Sequence, residues 1–246
     1  MLLESYQKII FKEPLNNLPE RKCLINTINA YSFTVAQKNS SFHAALLKSC
    51  ALLPDGISIV WAFRFLTGVK FKKIAGSDLF VWEMERLENL KGKCFFLGST
   101  KETLQKITEH AKKDYPHVKI ESFSPAYKPI FDQQECDEMI QAVNSFSPDV
   151  LFIGMTAPKQ ETWAATYFDE LNANHICCIG AVFDFYAGNI NRCPEWVNKS
   201  GFEWLYRLIK EPGRMWRRYL IGNTKFIWLV FREKFIRKYG NLNSHL

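Results

Sequence analysis

The sequence lacks the short motifs that mark most cofactor-dependent and nucleophilic enzymes. It contains no G-x-G-x-x-G fingerprint, which argues against a dinucleotide-dependent redox enzyme, and no G-x-S-x-G elbow for a serine nucleophile. It also contains no H-E-x-x-H, no C-x-x-C and no D-x-D, and its five histidines are scattered along the chain. We therefore expect neither a metal site nor a bound cofactor.

Long hydrophobic runs are missing as well. The N-terminal stretch carries charges throughout and has no apolar core of the length that a secretory signal requires. The longest uncharged apolar runs, such as residues 226–231, are far shorter than the ~20 residues that cross a bilayer. Seven cysteines, several of them inside apolar runs, are typical of buried free thiols in a reducing compartment. We expect a cytoplasmic protein.

Acidic residues are scarce at the C-terminal end. Residues 199–246 hold eleven Lys/Arg against three Asp/Glu, a net charge of +8, so the rest of the chain carries −1 of the total of +7. The same segment holds ten aromatic residues. Basic and aromatic residues concentrated at one end are typical of a segment that meets an anionic surface, whether a membrane, a nucleic acid or a phosphate ligand.

Strands and helices alternate about six times between residues 23 and 180. Most of the strands are apolar throughout, which is typical of strands buried on both faces of a parallel sheet. The sequence therefore predicts an α/β, Rossmann-like fold with helices on both faces of the sheet, formed by residues 1–198. Residues 199–246 are predicted to form a helical, basic and aromatic appendage. Residues 1–20 are expected to form short strands or a hairpin, and residues 31–50 a single helix.

One turn stands out because a single carboxylate lies between two apolar runs. The first run ends at Pro54-Asp55-Gly56, and the second, residues 57–66, follows at once. Asp55 can be the N-cap of the helix that follows, or it can be a catalytic base or a ligand-holding carboxylate. Ligands of open parallel sheets bind beyond the carboxyl ends of the strands. Asp55, Thr27 and Asn29 all lie at such ends, which favours the second interpretation.

Four further residues can contact a ligand. Asp184 follows the last strand between two phenylalanines, where it can accept hydrogen bonds from a sugar or ribose hydroxyl, or cap a loop. Arg214 and Arg217 share a face of one predicted helix in the tail, and Arg207 lies one helix earlier. Such arginines can bind a diphosphate bidentately, or form a solvated basic face. The aromatic residues interleaved with them favour a membrane–water boundary.

Seven blocks of the sequence, in order, carry a resemblance to a known family. They are T-I-N (27–29), L-P-D-G-I-S-I-V (53–60), I-A-G-S-D-L (74–79), F-F-L-G-S (95–99), G-M-T-A-P-K-Q-E (154–161), G-A-V-F-D-F-Y-A-G (180–188) and G-F-E-W-L-Y-R (201–207). With these blocks the chain resembles the WecG/TagA/CpsF glycosyltransferases, which add N-acetylmannosamine-type sugars to polyprenyl-diphosphate-linked acceptors. The resemblance covers nearly the whole chain. It implies an inverting, metal-independent hexosyltransferase that uses a UDP-sugar in the synthesis of cell-surface polysaccharide or teichoic acid.

The resemblance also implies roles for individual residues. Asp55 is implied to be the general base, with Thr27 beside it in the catalytic pocket. Lys73 stands where the family often has an arginine. The implied substrate-binding residues are Asn29, Lys73, Gln160, Asp184, Arg207, Arg214 and Arg217, of which the three arginines would meet the diphosphate.

The implied partners are a UDP-sugar donor, a polyprenyl-diphosphate-linked sugar acceptor and a membrane surface, which the C-terminal tail would bind. The implied location is the inner face of the plasma membrane, with self-association left open and no nucleic acid bound. A nucleic-acid-binding module that uses the same basic, aromatic tail is the alternative. It gives Asp55 no role.

Overall fold

A parallel sheet of six strands forms the centre of the computed structural model, which describes residues 2–190, 203–210, 212–216 and 220–240. The strand order is β2-β1-β6-β5-β3-β4. The strands are β1 (Cys23–Ile28), β2 (Ala51–Pro54), β3 (Lys93–Gly98), β4 (Lys119–Phe123), β5 (Val150–Gly154) and β6 (His175–Cys178). This arrangement confirms the Rossmann-like fold predicted from the apolar runs.

Helices connect the strands and cover the sheet. Those in the first half of the chain are α1 (Leu2–Gln7), α2 (Ala30–Ala36), α3 (Ser40–Leu47), α4 (Ile57–Thr67), α5 (Gly76–Leu90) and α6 (Lys101–Asp114). Those in the second half are α7 (Gln133–Phe146), α8 (Lys159–Thr166), α9 (Val182–Tyr186), α10 (Glu203–Lys210), α11 (Pro212–Trp216) and α12 (Gly222–Gly240).

The hydrophobic core lies on both faces of the sheet because successive strand residues point in opposite directions. On β3, Cys94 and Phe96 pack with residues of α5 and α6. The intervening Phe95 and Leu97 pack with residues of α7 and α8 on the other face. Strands buried in this way need apolar residues at every position, which is why their sequences are apolar throughout.

Two local predictions were wrong. The N-terminal segment forms the helix α1, and its only described β pairing is an isolated bridge between Ile10 and Leu52. The predicted single helix over residues 31–50 is divided into α2 and α3 at Asn39. The side chain of Asn39 accepts a hydrogen bond from the backbone N–H of Phe42, so it caps α3 and starts a new helix.

The last helix, α12, packs on the body of the protein. Phe226 and Val230 are buried in a cluster with residues of α2 and α4, and the Phe226 ring meets the Phe33 ring edge-on at 5.3 Å. Lys234 Nζ donates to the backbone carbonyl of Phe65 on α4. The boundary at residue 198 stays a prediction, but α12 contributes to the same core as the α/β body.

The cysteines differ in part from the prediction. Cys94, Cys136, Cys177 and Cys178 are buried free thiols, as expected. Cys23 and Cys50 instead form a disulfide pair that joins the start of β1 to the residue before β2, so the prediction was wrong for these two. Cys193 lies outside the described residues.

A buried polar network lies at the start of β6, at the amino-terminal end of the strands, whereas the candidate site lies at their carboxyl ends. His175 Nδ1 bonds to Glu83, which also accepts from Arg86, and His175 Nε2 donates to the carbonyl of Pro19. Burial lowers the pKa of His175, but the hydrogen bond to Glu83, the negative charge of Glu83 and the hydrogen bond to Pro19 together outweigh this, and the pKa is raised above its usual value. Both ring nitrogens of His175 are therefore engaged within the fold.

No helix in the described ranges has the length and apolar character needed to span a bilayer.

Candidate functional site

The carboxyl ends of β1 and β2 bring the first predicted site residues together. The two strands pair in parallel, with Thr27 opposite Leu53. Just beyond them, the backbone N–H of Asp55 donates to the carbonyl of Ile28 at 2.9 Å. Asp55 and Thr27 are both half-buried. Asp55 therefore lies at the strand-end edge, and since Ile28 is opposite Pro54, Asp55 and Asn29 are the next residues of the two paired strands.

The structure places Asp55 one residue before the N-cap of α4. The residue at the N-cap position of α4 is Gly56. Gly56 has φ of +123°, a backbone conformation that glycine adopts readily and other residues rarely do. A Cβ at Gly56 would lie 3.7 Å from the Cβ of Asn29, so the turn passes close to Asn29. The N-cap position itself is therefore not occupied by Asp55, and the role of Asp55 as a base stays a prediction.

Asn29 has a structural role that limits what it can offer a ligand. Its side-chain oxygen accepts a hydrogen bond from the backbone N–H of Ser32 at 3.0 Å, and the Ser32 hydroxyl accepts from the N–H of Asn29. This capping box starts α2. Within the described part of the chain, the amide nitrogen of Asn29 makes no hydrogen bond, so it is the atom that can donate to a substrate.

Lys73 reaches the same edge through the segment between α4 and α5. The backbone N–H of Ile74 donates to the carbonyl of Pro54 at 3.1 Å, which places half-buried Lys73 beside the strand end that carries Asp55. Two residues later, a Cβ at Gly76 would lie 3.5 Å from the carbonyl oxygen of Ile179. This segment therefore bridges the end of β2 and the end of β6, and it forms one wall of the candidate site.

Gln160 lies beyond β5 and is held firmly in place. Its side-chain oxygen accepts from the N–H of Met155 at 3.2 Å, and its side-chain nitrogen donates to Glu161 at 2.9 Å. Gly180, which has φ of +52°, approaches so closely that a Cβ there would lie 3.5 Å from both Gln160 atoms. Gln160 thus ties the end of β5 to the end of β6. A direct contact of this buried side chain with the sugar donor stays a prediction.

Glu161 is a feature of the site that the sequence interpretation missed. It is only 2% exposed, and burial raises the pKa of its carboxyl to about 7, although the hydrogen bond from Gln160 acts in the opposite direction. Its second oxygen, Oε2, is buried without a hydrogen-bond partner among the described residues. Its position beside Gln160 in the block G-M-T-A-P-K-Q-E could have identified Glu161 as a candidate residue. Its burial could not be predicted from the sequence.

The edge of the sheet at β3 and β5 is filled by an aromatic ring. A Cβ at Gly154 would lie 2.2 Å from the ring of Phe183, and one at Gly98 would lie 2.7 Å from the carbonyl oxygen of Gly154. Gly154 therefore allows close packing of the buried Phe183 ring, and Gly98 allows the close approach of β3 to β5.

Asp184 follows Phe183 on α9 and is half-buried. Its backbone carbonyl accepts hydrogen bonds from the N–H groups of Asn189 and Ile190, at 2.9 and 3.2 Å, and so closes the turn after α9. Among the described residues, its carboxylate has no hydrogen-bond partner. The loop is closed by the main chain of Asp184, and binding of a hydroxyl by its side chain stays a prediction.

The three predicted arginines are placed only in part. Arg207 belongs to α10 and Arg214 to α11, two helices that contact each other, and Arg217 lies outside the described residues. Their predicted contact with a diphosphate stays a prediction. Within the described ranges, no cluster of three or more His, Cys, Asp or Glu residues has the arrangement of a metal site.

A cleft of about 410 Å³ lies away from these residues, between α1, α2 and α12. It is lined by Ser5, Phe33, Gln37, His43, Leu229, Arg232, Glu233 and Ile236. None of the site residues predicted from the sequence lines this cleft. We therefore place the candidate site at the strand-end edge, where the ionisable and hydrogen-bonding groups converge.

Comparison with known proteins agrees with the resemblance seen in the sequence. The family model described as "Glycosyl transferase WecG/TagA/CpsF family" matches residues 8–240. A protein of Bacillus spizizenii strain W23, named N-acetylglucosaminyldiphosphoundecaprenol N-acetyl-beta-D-mannosaminyltransferase, is 31% identical over 81% of this chain and 75% of its own length. A Bacillus subtilis strain 168 protein of the same name is 30% identical over 86% of this chain and 80% of its own.

A more distant relative of the same name, from Staphylococcus aureus strain MW2, is 24% identical over 92% of this chain and 83% of its own length. The matched region contains the whole sheet and every strand end that carries a candidate residue. With nearly its whole length matched, the chain belongs to the WecG/TagA/CpsF family of glycosyltransferases.

Proposed function

We propose that this glycosyltransferase moves an N-acetylmannosamine-type sugar from a UDP-sugar to a polyprenyl-diphosphate-linked sugar, with inversion at the anomeric carbon and without a metal ion. The observation that carries the proposal is the position of Asp55. Asp55 lies half-buried at the strand-end edge, in the family block L-P-D-G, one residue before the N-cap of α4. The acceptor class follows the names of the two Bacillus relatives.

The chemical step needs a base. A sugar hydroxyl is a poor nucleophile near neutral pH, and a positioned carboxylate can accept its proton as it attacks. Asp55 takes the proton of the acceptor hydroxyl while the oxygen forms a bond to the anomeric carbon of the donor. The bond from that carbon to the diphosphate oxygen breaks, and UDP leaves with the electron pair. Attack on the face opposite the leaving group inverts the anomeric centre.

The residues around Asp55 bind and orient the reactants. The amide nitrogen of Asn29 and the ammonium of Lys73 are donors at the same edge, and Asp184 accepts from a donor hydroxyl. UDP gains negative charge on its diphosphate as it leaves, and fixed cations stabilise such charge. We propose that Arg207, Arg214 and Arg217 supply these cations, and that the basic tail meets the inner face of the plasma membrane, where the lipid-linked acceptor resides.

A thermal-shift screen of the full chain against UDP, NAD and a single-stranded oligonucleotide tests this proposal. UDP at about 100 times its Kd should stabilise the protein by about 2.7 kcal/mol, which raises Tm by roughly 5–10 °C for a chain of this size. NAD and the oligonucleotide should leave Tm unchanged.

The alternative function, a nucleic-acid-binding module, gains no support from the family match. It would be favoured by stabilisation with the oligonucleotide that weakens as salt is raised, without any response to UDP. A response to NAD alone would instead indicate a redox enzyme. Either result would contradict the proposed transfer from a UDP-sugar.

A further inference from the structure

The outer face of α4 exposes a row of large apolar side chains. Ile57, Trp61 and Phe65 lie four residues apart, so they share one face of the helix, and all three are exposed. Trp61 is 71% exposed, although a tryptophan on a soluble surface is normally at least half covered. The opposite face of α4 is buried in the core. The row runs for about 12 Å, starting two residues after Asp55.

The apolar row of α4 continues onto α12. Phe231 is 61% exposed, and its ring meets the ring of Phe65 at 5.4 Å. Trp228, three residues before Phe231, is exposed on the same face of α12. Lys234 Nζ donates to the carbonyl of Phe65 and fixes the two helices together at this point. An element of the α/β body and an element of the C-terminal segment thus form one continuous surface, which we call the α4/α12 face.

The exposed charged residues on the stretches that form the α4/α12 face are all basic. Across α4, residues 68–75 and the described side chains of α12, every exposed charged residue is basic; they are Arg64, Lys70, Lys72, Lys225, Arg232 and Lys234. The one acidic residue in these stretches, Glu233, is buried on the core side of α12. Arg232 lies over the ring of Trp228 at 5.4 Å, and Lys234 over the ring of Phe65 at 5.1 Å. Exposed aromatic residues flanked by cations alone are complementary to an anionic lipid surface.

We propose that the α4/α12 face docks the protein on an anionic bilayer, with Trp61 and Phe231 inserted at the level of the headgroups. The C-terminal segment is then not the sole membrane contact, because the helix that follows the catalytic turn takes part. This inference rests on the proposed function only for why the protein would bind a membrane, namely to reach a lipid-linked acceptor. The existence of the surface follows from the exposed residues alone.

Docking through this face has a consequence for the candidate site. Because α4 starts at the Asp55–Gly56 turn, its outer face fixes how far Asp55 lies from the membrane plane. A polyprenyl-diphosphate acceptor presents its sugar just outside the headgroups. A carboxylate within about one helix length of the inserted residues can meet that sugar without the lipid leaving the bilayer.

Co-sedimentation with vesicles tests the proposal without any sugar nucleotide, so failure here is distinguishable from failure of the proposed transfer. The full-length chain and the variants Trp61→Glu and Phe231→Glu are mixed with vesicles of phosphatidylglycerol and phosphatidylcholine, or of phosphatidylcholine alone. Wild type should bind the anionic vesicles and release them in high salt. Each variant should bind them at least about tenfold more weakly, because each loses an inserted ring and gains a repelled charge.

The matched control is Ile130→Glu, which makes the same kind of change at a residue that is 81% exposed in the loop between β4 and α7. It should bind like wild type, and circular dichroism should show all variants folded. Unchanged vesicle binding by Trp61→Glu would overturn the role of α4. Sedimentation velocity could instead show that wild type is a dimer and that Trp61→Glu dissociates it, with vesicle binding unaffected. That result would contradict docking on lipid and would show that this face binds a second copy of the chain.

Discussion

Asp55→Asn is expected to lower the rate of sugar transfer by about 100-fold to 10,000-fold and to leave UDP binding and Tm close to those of wild type. The range is what a positioned general base contributes to a proton transfer. Asparagine has nearly the same shape as aspartate but cannot accept the proton of the acceptor hydroxyl. The fold should survive, because the hydrogen bond that holds this turn to Ile28 comes from the main chain of residue 55.

Asp169→Asn is the matched control for Asp55→Asn. Asp169 is an exposed carboxylate in the loop before β6, at the end of the strands opposite the candidate site. Its replacement should leave transfer unchanged. Near-normal turnover by Asp55→Asn would exclude Asp55 as the base. Loss of UDP binding in parallel with activity would show instead that Asp55 serves the donor site.

Glu161→Gln should change how the stability of the protein depends on pH. Burial raises the pKa of Glu161 from 4.5 to about 7 in the folded state, so the folded protein holds this proton more tightly than the unfolded chain does. The free energy of unfolding of wild type therefore falls as the pH rises from about 4.5 to about 7, by about 3 kcal/mol in total, and stays lower above that. Glutamine mimics the protonated form and removes this contribution.

Urea denaturation of both proteins between pH 5 and pH 8 measures this difference. Relative to wild type, Glu161→Gln should gain stability as the pH rises, and the gain should level off above pH 7. Glu138→Gln, at an exposed glutamate of α7, is the control for a charge removed from the surface. A difference between wild type and Glu161→Gln that is constant across this range would show that the buried carboxyl does not bind its proton in the folded state.

The positions of the strands, and the end of the sheet that carries the candidate site, could be predicted because the sheet is parallel. Residues such as Phe95 and Phe96 face opposite sides of the sheet and are both buried, so the sequence has to be apolar at both. The same rule places the carboxyl ends of the strands at one edge, and it therefore led from sequence alone to Asp55 and Asn29 as neighbours.

The exact residues at which helices begin and end could not be predicted. An aspartate before a helix is a good N-cap, but here Gly56 takes the capping position through a positive φ that no sequence pattern reveals. In the same way, the apolar pattern runs on through residues 31–50, and only the hydrogen bond from Phe42 to Asn39 divides the helix.

The environment of an ionisable side chain is also set by the tertiary structure. Gln160 and Glu161 are adjacent polar residues at the start of a helix, where solvent exposure is the usual expectation. The close approach of Gly180 and the end of β5 encloses both of them. Their burial, and the raised pKa that follows for Glu161, comes from strands that are distant in sequence.

Transfer of N-acetylmannosamine from UDP-N-acetylmannosamine to a polyprenyl-diphosphate-linked N-acetylglucosamine, followed with and without EDTA, is the most direct measurement of the proposed function. We expect the full chain to form the β-linked disaccharide lipid at a rate that EDTA does not change, because the protein's own cations stabilise the departing diphosphate. Absence of product, or transfer that EDTA abolishes and a divalent cation restores, would contradict a metal-independent transfer centred on Asp55.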